Sequence, residues 1–183
     1  KTRISEMVDQ VGVENAAEWF DIIARCARTK SNDGATFPSF MDFLEEFARE
    51  KPDLTLKLIA NMESELVRFM PFLLKGLAIG GRNEDVAKLT DEWLFGKKHL
   101  QQIAIYCSIS PSFNADLLER TTSLAIAEGD SEAVIWAMEA AARQDKSQAK
   151  LVEKVFLPGL RHLASKRDTR WVRVIWPFAG KSA

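Results

Sequence analysis

Apolar residues recur along the chain at steps of three and four rather than two, and this spacing predicts helices almost throughout. In residues 13–28 the stripe is Val13, Ala16, Ala17, Phe20, Ile23, Ala24 and Ala27; in residues 37–48 it is Phe37, Phe40, Met41, Leu44, Phe47 and Ala48. The same spacing predicts helices over 53–61, 64–79, 84–95, 98–108, 115–128, 132–143, 148–165 and 169–178. No strand-type alternation persists. Helix starts lie at or just after Asp53, Ser64, Asn83, Asn114, Asp130 and Thr169, whose side-chain oxygens can accept from unpaired first-turn amides. Breaks fall at SNDG (31–34), GG (80–81), SISPS (108–112), EGD (128–130) and RQDKS (143–147). Short helices on short connections pack as antiparallel neighbours. The expected fold is therefore all-α, a single helical domain over 1–183 in which 1–62 supplies N-terminal helices and 63–183 a helical-repeat portion.

Two stretches inside this pattern repeat each other. FMPFLLKGLAIGGRNEDVAKL (69–89) and FLPGLRHLASKRDTRWVRVI (156–175) share Phe, an apolar residue and Pro, then Leu-Ala, a polar turn and a second helix. Between them Leu124-Ala125-Ile126 matches Leu77-Ala78-Ile79, and Asp130 matches Asn83. Leu77 to Leu124 is 47 residues and Leu124 to Leu163 is 39, spacings that suit a two-helix unit of about 40–47 residues. Pro71 and Pro158 are expected to bend the first helix of their units, because each removes a backbone donor and crowds the carbonyl four residues earlier. Ala near the end of that helix is expected to let the second cross closely.

Pro158-Gly-Leu-Arg-His-Leu163, the turn, and Asp168-Thr-Arg-Trp-Val172-Arg173 resemble a HEAT repeat, whose first helix carries a Pro and whose second opens with Asp followed by Val-Arg. The resemblance spans about 66–178 and is best in 155–176. It departs at 69–89, where Lys88 follows Val86 by two places, and in the middle unit, where Ala133-Val134-Ile135 lacks a basic partner. The resemblance implies an irregular α-solenoid of antiparallel helix pairs, of the HEAT/armadillo type. A globular α-helical bundle is the alternative.

Composition narrows the class. With 46% apolar and 28% charged residues, 9 Gly and 6 Pro, the chain lies outside the disordered and collagenous ranges. Two cysteines cannot form a disulfide scaffold, so a reduced, cytoplasmic setting is expected, and no apolar run approaches a membrane span. The first residue, Lys1, suggests a piece of a longer protein. Net charge is −1, but residues 1–95 carry 12 Lys/Arg against 17 Asp/Glu and residues 96–183 carry 13 against 9. From Lys146 onward nine basic residues face only Glu153 and Asp168, a candidate surface for an anionic partner.

Residues with catalytic potential are sparse. His99 and His162 belong to no ligand motif, no serine lies in a nucleophile elbow, and Cys26 and Cys107 are expected to be small buried hydrophobes. Gly180-Lys181-Ser182 imitates the end of a phosphate loop, but Ile175 stands where the earlier Gly belongs. Gly80-Gly81-Arg82 fits a left-handed helix cap better than an anion nest. Glu45 and Arg49 are expected to form an exposed pair, and the phenylalanines at 37, 40, 43 and 47 to lie in the core.

The candidate partner-binding residues are Lys166, Arg167, Arg170, Trp171 and Arg173, since Arg beside Trp can grip phosphates, stack on bases or anchor a protein interface. The same residues also suit a capping helix that turns Trp171, Val172, Ile175 and Trp176 inward. The function expected is a non-catalytic protein-interaction or scaffold/sensor domain built from helical repeats, with no cofactor and no metal, and with another protein as partner. The alternative is a nucleic-acid-binding HEAT-like domain, by analogy with HEAT-like alkylpurine DNA glycosylases, using the basic C-terminal helices on a DNA backbone. No membrane partner is expected.

Overall fold

The computed structural model of the chain describes residues 2–30, 37–144, 149–172 and 174. Among these residues the structure is all-α with no strand. The order is α1 (Arg3–Asp9), α2 (Ala16–Ala27), α3 (Pro38–Glu50), α4 (Pro52–Ala60), a 3-10 segment (Ser64–Phe69), α5 (Met70–Ile79), α6 (Asn83–Phe95) and α7 (Leu100–Ile109). There follow α8 (Ala115–Glu128), α9 (Ser131–Ala142), α10 (Ala149–Leu151), a π-helical turn (Val152–Phe156) and α11 (Leu157–Ser165). The break expected at 31–34, part of that at 143–147, and the helix end expected beyond 174 lie outside the described residues.

Caps explain most boundaries. Asn114 accepts from the Leu117 amide (2.9 Å) and Asp130 from that of Ala133 (3.0 Å), as expected for N-caps. Asp53 instead lies behind Pro52 inside α4, and the Ser64 hydroxyl donates to Glu65 (2.7 Å), so neither caps its helix. Asp168, not Thr169, accepts from the amide of Arg170 (3.0 Å). Helix α2 opens at Ala16 rather than at 13, because the Asn15 side chain accepts from Gly12 N (2.8 Å) and donates to Gln10 O (2.8 Å), tying off a loop in which Val13 is exposed. Helix α1 was not anticipated; the Thr2 hydroxyl caps it by accepting from Ser5 N (3.3 Å), and Val8 is its buried residue.

Residues 1–88 and 89–183 form two compact units, with the boundary inside α6. In the first, α1 packs on α3, and α3 packs on α5 as the most extensive helix pair, while α2 lies on the 3-10 segment and α4 on α3 and α5. Its core holds Ile23, Leu44, Phe47, Leu66, Met70, Leu73, Leu74 and Leu77, all essentially inaccessible to solvent. The backbones of α3 and α5 nearly touch. A Cβ on Gly76 would overlap the Glu45 carbonyl oxygen and come within 2.7 Å of the Ala48 methyl, and one on Gly80 would lie 2.9 Å from the Arg49 carbonyl oxygen. The small residues that permit close crossing are thus these glycines, one helical turn apart, whereas Ala78 is only half-buried and Ala164 is exposed. In the second unit α7 packs chiefly on α9, α8 lies on both, and α11 lies on α9. Ile103, Ala104, Leu118, Ala137, Met138 and Leu163 are buried there.

The repeated stretches share two devices. Pro71 and Pro158 both sit in the first turn of an α-helix, at the point where a 3-10 segment or a π turn gives way to α winding. Proline's missing donor leaves a carbonyl one turn back unbonded, and the change of pitch falls there. Each helix then ends in a paired cap. Arg82 N bonds Leu77 O (2.9 Å) with Gly81 N on Ala78 O (3.1 Å), and Asp168 N bonds Leu163 O (2.9 Å) with Arg167 N on Ala164 O (3.0 Å). The end of α8 repeats it, Asp130 N to Ala125 O (2.9 Å) and Gly129 N to Ile126 O (3.2 Å). This register places Ala125, not Leu124, opposite Leu77 and Leu163, and Asp130 opposite Arg82 rather than Asn83. All three of Leu77, Ala125 and Leu163 are fully buried.

Gly76→Ala should lower unfolding stability by about 1–3 kcal/mol, since rigid backbone cannot yield to the added methyl. Gly159→Ala meets the flexible Met138 side chain (Sδ at 2.8 Å) and gains helix propensity of about 0.5–1 kcal/mol, so it should cost less. Urea unfolding of both variants with an unchanged m-value checks the order; equal losses would refute it.

Candidate functional site

The turn after α11 carries the residues singled out from sequence. Arg167 occupies the left-handed region (φ 55°), a conformation that costs a non-glycine residue about 1 kcal/mol. Its exposed side chain and that of Lys166 form no ion pair among the described residues. Arg170 behaves differently. Its Nε donates to both oxygens of Asp168 (3.0 and 3.1 Å), Nη2 donates to Asp168 Oδ2 (2.6 Å), and Nη1 donates to Glu132 in the first turn of α9. These bonds, Asp168 first and Glu132 second, raise the guanidinium pKa further above its ordinary value. One cation therefore serves two carboxylates while its side chain stays partly exposed. Trp171 is half-buried, Val172 is exposed, and Val174 is the residue of that segment buried most completely. Arg173 and Trp176 lie outside the described side chains.

Arg82 makes an equivalent clamp. It follows α5 as Arg170 follows α11, and its Nη1 donates to Asp53 (3.0 Å) while Nε donates to Asp85 (2.5 Å). Asp53 and Glu132 are each the second residue of their helix, α4 and α9, so both clamps tie the turn beyond a proline-bearing helix to the start of an earlier helix, across the 3-10 segment in one case and across α10 and the π turn in the other.

Other basic residues are also engaged. Lys150 and Lys154 lie 3.2 and 3.9 Å from Glu119, Lys97 bonds Glu128 (2.6 Å), and Arg120 bonds Asp91 (2.7 Å). The expected Glu45–Arg49 pair is replaced: Arg49 bonds Glu46 and Glu50 along α3, and Glu45 reaches across to Lys75 on α5 (2.8 Å), beside the Gly76 crossing.

His99 is half-buried in a left-handed conformation with its ring edge-on to Trp93 (5.3 Å), and burial, then Lys98, lowers its pKa. His162 Nε2 lies 3.5 Å from Ser131 Oγ, the outer limit of hydrogen bonding, and among the described residues no carboxylate bonds the imidazole to orient it for nucleophile activation. Among the described residues no group of three or more His, Cys, Asp or Glu could hold a metal ion, and no helix is long and apolar enough to cross a membrane.

Sequence reasoning missed a groove in the first unit. It has a volume of about 550 Å³ between α1, α2 and α3, and its walls include Ile4, Met7, Trp19, Ile22, Phe40 and Phe43. Trp19 stacks on Phe43 (5.9 Å), while Phe40 is half-buried rather than sealed in the core. Cys26, expected to be buried, is exposed on this wall; Cys107 is buried as expected, and desolvation pushes its thiol up to about 12.

Comparison with protein-family models, with curated proteins and with solved structures finds no match to this chain.

At pH 8 a thiol reagent should modify one cysteine per folded chain, Cys26, and both in denaturant. Because the folded Cys107 holds its proton to higher pH than the unfolded one, stability is unaffected below about pH 9 and should fall as pH rises from there toward 12. Mass spectrometry of the labelled chain finding Cys107 modified in the folded state would contradict its burial.

Proposed function

We propose that the chain is a non-catalytic interaction or scaffold module built from helical repeats. The observation that carries this reading is the recurrence of one construction: proline-bearing helix, paired cap, and an arginine (Arg82, Arg170) clamped to the second residue of an earlier helix, α4 or α9. Within each unit, alternate helices also pack on one another, α1 on α3 on α5, and α7 on α9 on α11. Stacked helix pairs make extended surfaces that bind partners through side chains alone. Here the outer side of the π turn and α11 offers Val152, Leu157 and Arg161, all exposed, next to Lys166 and Arg167. Apolar residues flanked by unpaired cations suit an interface with an acidic, partly apolar protein surface.

Nucleic-acid binding is the second reading, favoured by exposed Arg161, Lys166 and Arg167 and disfavoured by the commitment of Arg170 to Asp168 and Glu132. A photo-reactive amino acid at Leu157, used in an extract of the native host, separates the two. A discrete adduct that survives nuclease supports the interaction module, and one removed by nuclease supports the alternative. In fluorescence anisotropy, labelled DNA and RNA should show no tight, salt-sensitive binding, and Arg170→Ala should leave the weak signal unchanged. Tight binding that collapses between low and moderate salt, and disappears with Lys166→Ala plus Arg167→Ala, would overturn the interaction reading.

A further inference from the structure

The α1–α3 groove has a chemical character of its own. Its volume of about 550 Å³ lies within the roughly 300–1,000 Å³ typical of small-molecule sites. Aliphatic and aromatic side chains form its walls, and Arg3 is the sole charged residue among those that line it; no Asp or Glu does. Among the described residues Arg3 forms no ion pair, unlike Arg25, Arg28 and Arg49, which each meet a carboxylate. The Thr2 hydroxyl is occupied in capping α1, which leaves the Arg3 guanidinium as the charged group able to meet a ligand, with the Ser39 hydroxyl, the Trp19 indole N–H and the Cys26 thiol as neutral polar groups among the lining residues. Met7 (39% exposed) and Ile22 (37%) present apolar surface to solvent at the opening. Apolar walls with a single cation beside them match one aliphatic chain that ends in one anionic head.

We propose that this groove binds a single-chain anionic amphiphile, a medium-chain aliphatic carboxylate, with its head at Arg3 and its chain along Ile4, Met7, Trp19, Ile22 and Phe40. Desolvated contact with these walls supplies affinity that grows with chain length, and the unpaired guanidinium selects the charge of the head. The site is independent of the α11 surface, so each can fail without the other.

The test uses the full chain and saturated carboxylates of eight, ten and twelve carbons, each below its micelle-forming concentration. The readout is the rate at which iodoacetamide alkylates exposed Cys26 on the groove wall, with buried Cys107 silent. Saturable protection is expected, tightening about fourfold per added methylene until the groove is filled. An alkyltrimethylammonium of equal chain length should bind at least tenfold more weakly, and Arg3→Glu should reverse that order. Ile22→Glu should abolish protection; should that variant not fold, exposed Arg3→Glu still decides. No protection by any chain length, or protection indifferent to head charge and to Arg3→Glu, would overturn the proposal.

Discussion

The first unit depends on how closely α5 lies against α3. Gly76 and Gly80 remove the side chains that would hold the two backbones apart, and Ala48 supplies the opposing small residue. At that distance Leu44 and Phe47 from one helix and Leu73, Leu74 and Leu77 from the other all become inaccessible to solvent. Interiors packed at crystalline density do not absorb an added methyl by compressing, so the crossing sets where the rest of α3 runs. The Glu45–Lys75 pair at its side is half-exposed and adds little by comparison. Phe40 and Phe43 project from the same α3, so the groove wall they form inherits its position from the glycine contact one to two turns along the chain.

The arginine clamps show why a basic segment need not be a basic surface. Counting from Lys146, charge is heavily positive, yet Arg170 is held by Asp168 and by Glu132, a residue upstream of the counted segment. Lys150 and Lys154 likewise share Glu119. Among the described residues, tertiary neighbours thus neutralise much of a charge excess that is local only in sequence, leaving Arg161, Lys166 and Arg167 exposed. Arg82 and Arg170 act as fasteners across a turn, and their planar forks suit that work because each can meet two carboxylates at once.

Helix existence was legible because the 3.6-residue apolar period is repeated in almost every segment, from Phe37–Ala48 to Ala115–Glu128. Boundaries were legible where a single side chain decides them, as Asn114 and Asp130 do, and misread where proline begins the helix, as at Pro52. The partners of Arg170 were not legible, since Glu132 lies 38 residues away and no local pattern links them.

The groove was hidden for a different reason. Helix α2 carries two adjacent apolar stripes, Ile23, Ala24 and Ala27 on one and Trp19, Ile22 and Cys26 on the other, and only the first is buried. Periodicity identifies a face that avoids water but is silent on what covers it. A stripe one residue out of phase with the core reads as a broadening of that core, so Cys26 was assigned to the interior. Its exposure goes with the placement of α1, a seven-residue helix that packs on α3 and does not close over this stripe of α2. The short helix closes one side of the space and leaves the other open, and an opening between three helices is what turns surplus apolar surface into a recess of defined volume.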